Sequence, residues 1–517
     1  MNRRTFLRRS VVVGGGLALT SPFEALGLRA ASGAPIVRTT GYGPLVPKGE
    51  LALPADFDYR VISRQGIPMR DGNPTPTAFD GMGSFRGPHR TTILIRNHEN
   101  RIARRALGET PLIVPQHLRY DEDPAYFGGC VKLVVRREAE GVYVLFDNFA
   151  IQGGTDNNCA GGVLPGKKWV TCEEVVRRSS VTGKKHGYVF DVDATADDPV
   201  LARPVIGAGR FAHEATAWHR QTLYLTEDRD IPNFDGSCFY RYVPDRPVRR
   251  SRNLADTEGV LQALKLKDEF RANMDIGRVV GRPYDVEWVT VDEPDHDDDT
   301  DNRRDRVPGF TPVRFQAQDL GAAFFDRQEG IWVAGGDNRR DDDRDDDHDD
   351  KDDDEDDDRE DRHRGRHDGA KIYFDCTVGG AADLGQVWQY DPGRETITLI
   401  YESTNPLSLE GPDNVVIVPQ TGDIFLCEDA IAPQFIRGLT PDGAIYDFAM
   451  GLNNNTEFAG ACFDPDGKTL YVNQYGERGT LPFGPAGNLP NGPLAGGVTF
   501  AIFGPFEQRD RRRHGRH

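Results

Sequence analysis

A short pattern that recurs six times along the chain is the feature that most constrains its fold. Each copy begins with a polar residue before small residues and continues through a β-branched or aromatic run. A turn then leads into a second run that ends in acids. Four copies are clear and begin at Asn158, His213, Glu410 and Glu457, and two looser copies contain Asp80 and Glu329. Six hairpin units of this kind predict an all-β fold, a six-bladed β-propeller with long loop insertions.

The same repeat predicts which polar groups meet. In a propeller the first strand of each blade lines the central channel, so residues at its start gather at one mouth. They are Asp80, Cys159, Glu214, Glu329, Glu410 and Glu457. The second strand is antiparallel, and its end returns to the same face with Glu99, Glu173, Glu174, Glu227, Asp228, Glu428 and Asp429. The pattern therefore predicts an acidic channel mouth.

An acidic mouth of this kind predicts bound cations. Crowded carboxylates repel and raise one another's pKa, and a cation removes that penalty. Carboxylate oxygens suit Ca²⁺ or Mg²⁺, whereas a thiolate at Cys159 suits a softer or redox-active metal. The alternative is that the acids only finish turns, a role that Asp favours and Glu does not. His98 and His213 are either ligands or packing residues.

The seven cysteines contain no Cys-x-x-Cys pair and no zinc spacing. Because seven is odd, at least one thiol is unpaired, and burial as a small hydrophobic residue is the default expectation. Cys172 and Cys427 precede acids on their strands, where side-chain alternation turns them away from Glu173 and Glu428. We therefore expect both to be core residues and Cys159 to be the exception.

The N-terminal 34 residues are typical of an export signal. Arg3 and Arg4 precede a modest apolar run from Val11 to Leu19, followed by an Ala- and Gly-rich stretch. A twin arginine in this setting predicts recognition by the twin-arginine export machinery and a periplasmic or secreted bacterial protein. Residues 35–508 then form a single β-propeller catalytic domain, followed by a basic tail at 509–517.

The formal net charge of −19 is concentrated rather than spread. Two tracts, 292–307 and 337–368, are rich in Asp and poor in apolar residues, which predicts disordered, solvated insertions. The acidity argues against a nucleic-acid partner, which would require a basic footprint. No run of about 18 apolar residues is present, so we expect no membrane span. A monomer is the default expectation.

The chain resembles the PhoX-type alkaline phosphatases, which are exported by the twin-arginine route. The resemblance runs from residue 45 to residue 506 apart from the acidic insertions. The matching segments are 59–63, 80–82, 96–99, 158–162, 171–174, 209–214, 226–228, 410–414 and 437–443. Taken together, these segments are specific for the family.

The resemblance implies a six-bladed propeller that carries iron and calcium. It makes Cys159 a ligand to Fe³⁺. The carboxylates that it implies as ligands to Fe³⁺ or Ca²⁺ are Glu173, Glu174, Glu214, Glu329, Glu410, Asp413 and Glu428. Arg327 becomes the catalytic and phosphate-binding residue, because its donor fork matches phosphate geometry, and Asn158 and Arg437 are further phosphate-binding candidates. The implied reaction is metal-assisted hydrolysis of small phosphomonoesters.

Three functions follow from these observations. The first is a secreted, metal-dependent phosphatase that releases phosphate from phosphomonoesters. The second is a calcium-dependent propeller lactonase or esterase, which would not require Cys159 at the mouth. The third is a non-enzymatic metal-binding secreted propeller. Visible absorption from an iron–thiolate pair separates the first two, and hydrolysis of a chromogenic phosphomonoester separates the first from the third.

Overall fold

The structure is a computed structural model that describes residues 41–101, 109–335, 369–430, 433–452, 454–476 and 496–508. The predicted signal peptide (1–34), the second acidic insertion (337–368) and the basic tail (509–517) lie outside the described residues. Their predicted roles, and the single-domain boundary at 35–508, remain predictions.

Antiparallel strands account for most of the described chain. The first fourteen are β1 (Leu45–Pro47), β2 (Leu51–Pro54), β3 (Asp58–Arg64), β4 (Phe79–Arg86), β5 (Thr91–His98), β6 (Gly128–Ala139), β7 (Val142–Thr155), β8 (Asn158–Leu164), β9 (Lys168–Glu173), β10 (Arg177–Arg178), β11 (Lys185–His186), β12 (Val189–Asp193), β13 (His213–His219) and β14 (Thr222–Glu227). The others are β15 (Tyr240–Pro244), β16 (Gly259–Leu266), β17 (Pro283–Thr290), β18 (Gln328–Ala334), β19 (Lys371–Cys376), β20 (Gln386–Asp391), β21 (Thr396–Glu402), β22 (Pro412–Ile417), β23 (Ile424–Glu428), β24 (Phe435–Leu439), β25 (Ile445–Gly451), β26 (Phe458–Phe463), β27 (Thr469–Gln474) and β28 (Val498–Phe503).

Helices in the described residues are short. They are α1 (Ile231–Phe234), α2 (Val313–Asp319) and the 3₁₀ turns Pro88–Arg90, Gln116–Leu118, Ile206–Ala208 and Leu254–Asp256. The all-β prediction is confirmed. Within the described residues, no helix has the length and apolar character needed to cross a membrane.

The strands form meandering sheets. β4 to β7 form one sheet, β8, β9 and β12 a second, β22 to β25 with β1 and β2 a third, and β26 to β28 with β3 a fourth. Two further meanders, β13 to β16 and β18 to β21, are joined through β17 into one nine-stranded sheet. β10 and β11 form a separate two-stranded ribbon. The N-terminal β3 pairs with the C-terminal β28, so the two ends of the described chain complete one sheet.

The first strand of each meander faces the centre of the molecule. β4, β8, β13, β18, β22 and β26 contact one another in that order, and β26 contacts β4 again. These six strands surround a cavity of about 260 Å³ with apolar walls that include Met82, Trp218 and Trp332. The closed order of six strands fixes where their starting residues meet.

Side-chain alternation explains why these segments form two-sided sheets. Along β28, Val498, Phe500 and Ile502 lie in one hydrophobic cluster, whereas Ala501 lies in another on the opposite face. Because successive side chains of a strand point to opposite faces, each sheet buries apolar residues against both of its neighbours. The strands can therefore be apolar at nearly every position.

The first acidic tract differs from its prediction. Residues 292–307, which we call the acidic segment, were expected to be solvated, but Asp298, Asp301 and His296 are buried in it. Asp301 pairs with two arginines, and the backbone carbonyls of His296 and Asp298 accept hydrogen bonds from the buried Arg210. The composition of the segment predicted that it would be solvated. Composition cannot show that arginines from other parts of the chain pair with the segment and neutralise its charge.

Candidate functional site

A β-bulge near the start of each central strand brings one residue out of the regular ladder. On β8, Asn158 pairs with Glu173 but Gly161 pairs with Thr171, so Cys159 and Ala160 together oppose one residue. Related register shifts occur on the other five central strands. The first residue of the irregularity in each strand is, in chain order, Asp80, Cys159, Glu214, Glu329, Asp413 and Gly460. Bulges re-aim side chains in this way at functional sites.

Small residues follow these bulge residues because the central strands approach closely. A Cβ added to Gly81 would lie 2.4 Å from the Cα of Ala160, and one added to Gly330 would lie 2.6 Å from the carbonyl oxygen of Asp413. Both distances are shorter than a carbon can tolerate without backbone movement. In these copies of the repeat, the polar residue is therefore of a type that can bind a metal ion, and the small residue after it lies where two backbones come close together.

In five of the six units the second strand ends opposite the residue that precedes the bulge. In three units it ends in a glutamate that a neighbouring group holds. Glu173 accepts hydrogen bonds from His186 Nδ1 at 2.7 Å and from the amide of Gly187 at 2.8 Å. Glu227 accepts a hydrogen bond from the Tyr240 hydroxyl at 2.8 Å, and Glu428 pairs with Arg437 at 2.7 Å.

The residue after each of these glutamates lies nearer the polar residues at the bulges of the central strands. These residues are Glu174, Asp228 and Asp429, and Glu99 follows β5 in the same way. In each Glu-acid pair the first member is thus engaged by its own neighbourhood, and the second adds its charge to the central groups.

Four overlapping groups of side chains at the mouth could hold metal ions. They are Asp80 with Glu99 and Cys159; Cys159 with Glu174 and Glu214; Glu214 with Glu329 and Asp413; and Asp413 with Asp429 and Glu457. Within each group, one ligand atom per residue lies within 4.8 Å of the others. Cys159, Glu214 and Asp413 are each shared by two groups. We call this continuous set the acidic cluster.

The acidic cluster carries charges that its own neighbours do not offset. Burial, with the Glu174 carboxylate, raises the pKa of Asp80 to about 7. Burial and Asp228 raise the pKa of Glu174 to about 7 as well. Glu214 is fully buried, its pKa is raised well above the usual range by burial and by Glu174, and its Oε2 has no hydrogen-bond partner in the structure. An orphaned buried carboxylate oxygen among other carboxylates fits a site for cations.

The thiol of Cys159 lies inside this set. Its Sγ is 3.1 Å from Glu214 Oε1 and 3.6 Å from Asp80 Oδ2. Burial and the charges of Asp80 and Glu214 raise the pKa of the thiol well above its ordinary value. A thiolate would therefore need a cation beside it, and the donor set of one sulfur and several carboxylates fits a metal ion.

Arg327 lies at the edge of the acidic cluster. Its Nε and Nη2 donate to the two oxygens of Asp228 at 2.8 and 2.9 Å, and Nη2 is also 2.9 Å from Glu329 Oε1. The side chain keeps 30% of its surface exposed. The backbone is left-handed, with φ of 53°. Hydrogen bonds from Arg327 N to Arg229 O and from Thr377 N to Arg327 O hold that conformation at both ends.

Arg101 is a second cation of the site that sequence reasoning missed. It pairs with Glu99 and lies 3.6 Å from Glu174 Oε2, and its side chain is 34% exposed. It follows Glu99 in a loop, outside the repeat, so the hairpin pattern carried no signal for it. The only available hint was its position two residues after an acid predicted at the mouth.

Hydrogen bonds between neighbouring units fix three of the bulges. Asn97 Nδ2 donates to the carbonyl oxygen of Cys159 at 2.9 Å, Thr226 Oγ1 to that of Glu329 at 2.6 Å, and Asn473 Nδ2 to that of Asp80 at 2.6 Å. Each donor lies on the second strand of one unit, and each acceptor is the bulge residue of the next. The peptide groups of these ligand-type residues are therefore held from outside their own strand.

The structure brings together several of the residues predicted as site residues. Cys159, Glu174, Glu214, Glu329 and Asp413 belong to the acidic cluster, and Arg327 borders it. Their metal-binding and phosphate-binding roles remain predictions.

Five other predicted site residues are not brought into the cluster. Glu173 faces His186, Glu428 faces Arg437, and Glu410 belongs to none of the four groups. Asn158 is fully buried between Thr155 and Thr171, which bond both ends of its amide. Arg437 is occupied by Glu428 and Asp447. Glu173, Glu428, Asn158 and Arg437 thus have neighbours that engage their polar atoms, and Glu410 lies outside the four groups. Their predicted metal-binding and phosphate-binding roles stay predictions.

Cys172, Cys427 and the two candidate histidines have packing roles. All seven cysteines are buried and free of disulfides, and Cys172 and Cys427 lie in hydrophobic clusters, as predicted. His213 bonds the carbonyl oxygen of Gly209, and burial lowers its pKa to about 3. His98 bonds the carbonyl oxygen of Thr77. Of the two readings for these histidines, the structure favours packing.

The fold and the site define an all-β protein with a polyacidic, thiol-containing cation site flanked by arginines. The family model for alkaline phosphatase PhoX matches residues 40–476. The chain therefore belongs to the PhoX alkaline phosphatase family and is a phosphatase, a phosphoric monoester hydrolase. This excludes the lactonase and the non-enzymatic alternatives.

One solved structure supports the fold. Pseudomonas fluorescens PhoX in complex with vanadate, a transition state analogue, is 17% identical, with a TM-score of 0.62 over 90% of this chain and 97% of that one. A family 117 glycoside hydrolase from Zobellia galactanivorans (8% identity, TM-score 0.30, 87% and 90% covered) and a thermostable family-43 glycoside hydrolase (13%, 0.29, 82% and 98%) are more distant. No curated protein sequence matches the chain significantly.

Proposed function

We propose that this phosphatase is metal-dependent and hydrolyses phosphomonoesters at the acidic cluster. The observation that carries the proposal is the overlap of four ligand groups through Cys159, Glu214 and Asp413, which makes one continuous site for several ions. Mutually repelling buried carboxylates are costly without bound cations. A site for cations is also what a phosphate dianion requires.

The ligand chemistry suggests which ions bind. The groups that contain Cys159 combine one thiolate with Asp80, Glu99, Glu174 or Glu214, and this set suits Fe³⁺. The groups centred on Asp413 contain only carboxylates, which suit Ca²⁺. Bound ions of this kind supply Lewis-acid stabilisation of the charge that develops on phosphate oxygens. Glu99, Asp80, Asp429 and Glu457 join the predicted ligands on geometry.

The arginines supply the complementary binding. Asp228 orients Arg327 by holding its Nε and Nη2, and the donors on Nη1 of this 30% exposed side chain are the ones that can meet a phosphate oxygen. Arg101 offers a second guanidinium group beside Glu174. A phosphate group held between the metal ions and these two side chains would have its oxygens neutralised from both sides. Arg327 is the residue to which we assign phosphate binding in the reaction.

We also propose that the fold is a six-bladed propeller. The closed order of six central strands and the common position of their bulges support this description. On this view the nine-stranded sheet is two blades linked at their outer edges by β17.

The twin-arginine sequence supports export to the periplasm or beyond. The sequence gives no signal of an interface between subunits, and a monomer is the default proposal.

Replacing the thiol tests this function. Cys159→Ala should lose iron, visible absorption and hydrolysis of a chromogenic phosphomonoester together, because the thiolate is the only soft ligand in the cluster groups. Cys238→Ala is the matched control, since Cys238 is also buried and free but packs in a hydrophobic cluster. Metal content by elemental analysis and activity are measured on both. Full activity and unchanged iron in Cys159→Ala would refute the iron–cysteine site.

A further inference from the structure

The acidic segment contains a buried ion pair at Asp301. Asp301 keeps only 3% of its side chain exposed. Its Oδ1 accepts from Arg314 Nη1 at 2.7 Å, and its Oδ2 accepts from Arg229 Nε at 2.5 Å. Burial raises the pKa of Asp301, but the two guanidinium groups outweigh this effect and lower the pKa to about 2. Asp301 therefore stays charged and holds both arginines across the working pH range.

The conformation of the acidic segment is built to present this carboxylate. Asp298 accepts hydrogen bonds from the amide and hydroxyl of Thr300 and from the amide of Arg303, which closes the turn around Asp301. Asp301 itself has a left-handed backbone with φ of 53°, which Asp tolerates better than most residues. A solvated tract would not require this fixed turn.

Arg229 connects Asp301 to the candidate phosphate-binding arginine. Arg229 Nη1 donates to the carbonyl oxygen of its neighbour Asp228 at 2.7 Å. The carbonyl oxygen of Arg229 accepts from Arg327 N at 3.1 Å, which is one of the two bonds that hold the left-handed backbone of Arg327. The carboxylate of Asp228 in turn holds the guanidinium group of Arg327 at 2.8 and 2.9 Å.

We propose that Asp301 is a positioning residue for Arg327: by fixing Arg229 it sets the orientation of both the backbone and the guanidinium group of Arg327 for phosphate binding. This inference rests on the proposed phosphate-binding role of Arg327. Asp301 touches neither the acidic cluster groups nor Arg327 directly, so its effect passes through residues 228 and 229. The acidic segment thereby gains a role in the reaction rather than in solubility.

A double-mutant cycle tests the coupling. Asp301→Asn keeps the shape of the side chain but removes the charge, and Arg327→Lys keeps the charge but removes the fork. Asp305→Asn is the matched control in the same segment, because Asp305 pairs with Arg303 at the exposed surface. The measured quantities are the inhibition constant of inorganic phosphate, kcat and KM for a chromogenic phosphomonoester, and metal content by elemental analysis.

If Asp301 positions Arg327, Asp301→Asn weakens phosphate inhibition by about fivefold or more with metal content unchanged, and Asp305→Asn changes nothing. In the Arg327→Lys background the same Asp301 change adds less than about twofold, because the fork that it orients is gone. If Asp301→Asn weakens phosphate inhibition equally in both backgrounds, the damage is general and the inference is overturned. The inference is also overturned if Arg327→Lys weakens phosphate inhibition and Asp301→Asn has no effect on it. If Arg327→Lys leaves phosphate inhibition unchanged, the proposed role of Arg327 fails, and the inference fails with it.

A second variant covers the case in which Asp301→Asn does not fold, since it leaves two buried guanidinium groups without their partner. Arg229→Gln removes the connecting residue while Asp301 keeps Arg314. It is expected to reproduce the weakened phosphate inhibition and the same loss of additivity with Arg327→Lys. Additive effects of Arg229→Gln and Arg327→Lys on phosphate inhibition would overturn the inference.

Discussion

The residues at the bulge position of the central strands determine the chemistry of the acidic cluster. Asp80, Cys159, Glu214, Glu329 and Asp413 begin the bulges of five central strands, and Gly460 occupies the sixth position. Glu457 reaches the last group from the residue before β26. A single thiol among carboxylates at equivalent positions means that one residue separates a sulfur-containing ligand set from an all-carboxylate set.

The carbonyl anchors between units lead to a residue-level prediction. Thr226→Val should lower the calcium affinity of the site by about tenfold, because removing an outer hydrogen bond to a ligand residue typically costs that much. The change leaves the buried carbonyl oxygen of Glu329 without its 2.6 Å donor. Calcium affinity is measured by titration of the metal-depleted protein. Thr226→Ser retains the hydroxyl and should behave as wild type; equal losses in both variants would contradict the anchoring role.

Part of this site could be predicted from the sequence. The hairpin repeat predicted that Asp80, Cys159, Glu214, Glu329 and Glu457 lie close together, and all five belong to the acidic cluster. The repeat could find them because each lies next to the first residue of the first strand of its unit. The repeat predicted Glu410 at the channel mouth, whereas Asp413 is the residue that belongs to the acidic cluster. A β-bulge in β22 shifts the register here, and the sequence pattern does not show such a bulge. The repeat could not show which of Glu173 and Glu174 faces the acidic cluster. The position of the strand end decides which side chain turns inward, and the partner of Glu173, His186, comes from another part of the chain.

At the scale of elements, the acidic segment differs from the solvated insertion that its composition predicted. The acidic segment is anchored by arginines from the loop before β13, from α2 and from the loop after β14. Composition predicted the same behaviour for both tracts because it counts charges within a tract and not the partners that folding brings to it. The all-β class and the hairpin units were predictable, whereas the joining of two meanders through β17 depended on pairing partners far apart in sequence.

The second insertion lies between β18 and β19, and its removal is a test at this scale. β18 carries Glu329 at one end, and the pair Ala334–Lys371 closes the hairpin at the other. A Cβ on Gly335 would lie 3.1 Å from the carbonyl oxygen of Gly369, so the two flanking residues are already adjacent. Deleting 338–367 should therefore leave the melting temperature, metal content and kcat/KM within about twofold of wild type. Loss of metal from the deletion variant would show that the tract participates in the site.

For the whole molecule, the formal charge of −19 and the acidic cluster predict that stability depends on bound cations. Asp80 and Glu174 have pKa values raised to about 7 by burial and by neighbouring carboxylates. A carboxyl whose pKa is higher when folded than when unfolded, near about 4, favours the folded state only while protonated. The metal-free protein should therefore lose stability as the pH rises from about 4 through about 7.

Removing the metal ions with a chelator tests this dependence. The melting temperature of the metal-free protein should fall by several degrees between pH 5 and pH 8, and that of the loaded protein should change much less, because cations replace the protons. Calorimetry of both forms at each pH provides the comparison. A metal-free protein that is equally stable at both values, or more stable at pH 8, would contradict the account of the cluster.

The most direct test of the central claim is to locate the metals by anomalous X-ray diffraction from crystals of the purified protein, at wavelengths on either side of the iron edge. The account predicts an iron peak bonded to Cys159 Sγ, with calcium density among Glu214, Glu329, Asp413 and Glu457. Iron absent from the acidic cluster, or bound elsewhere with Cys159 contacting no ion, would contradict it.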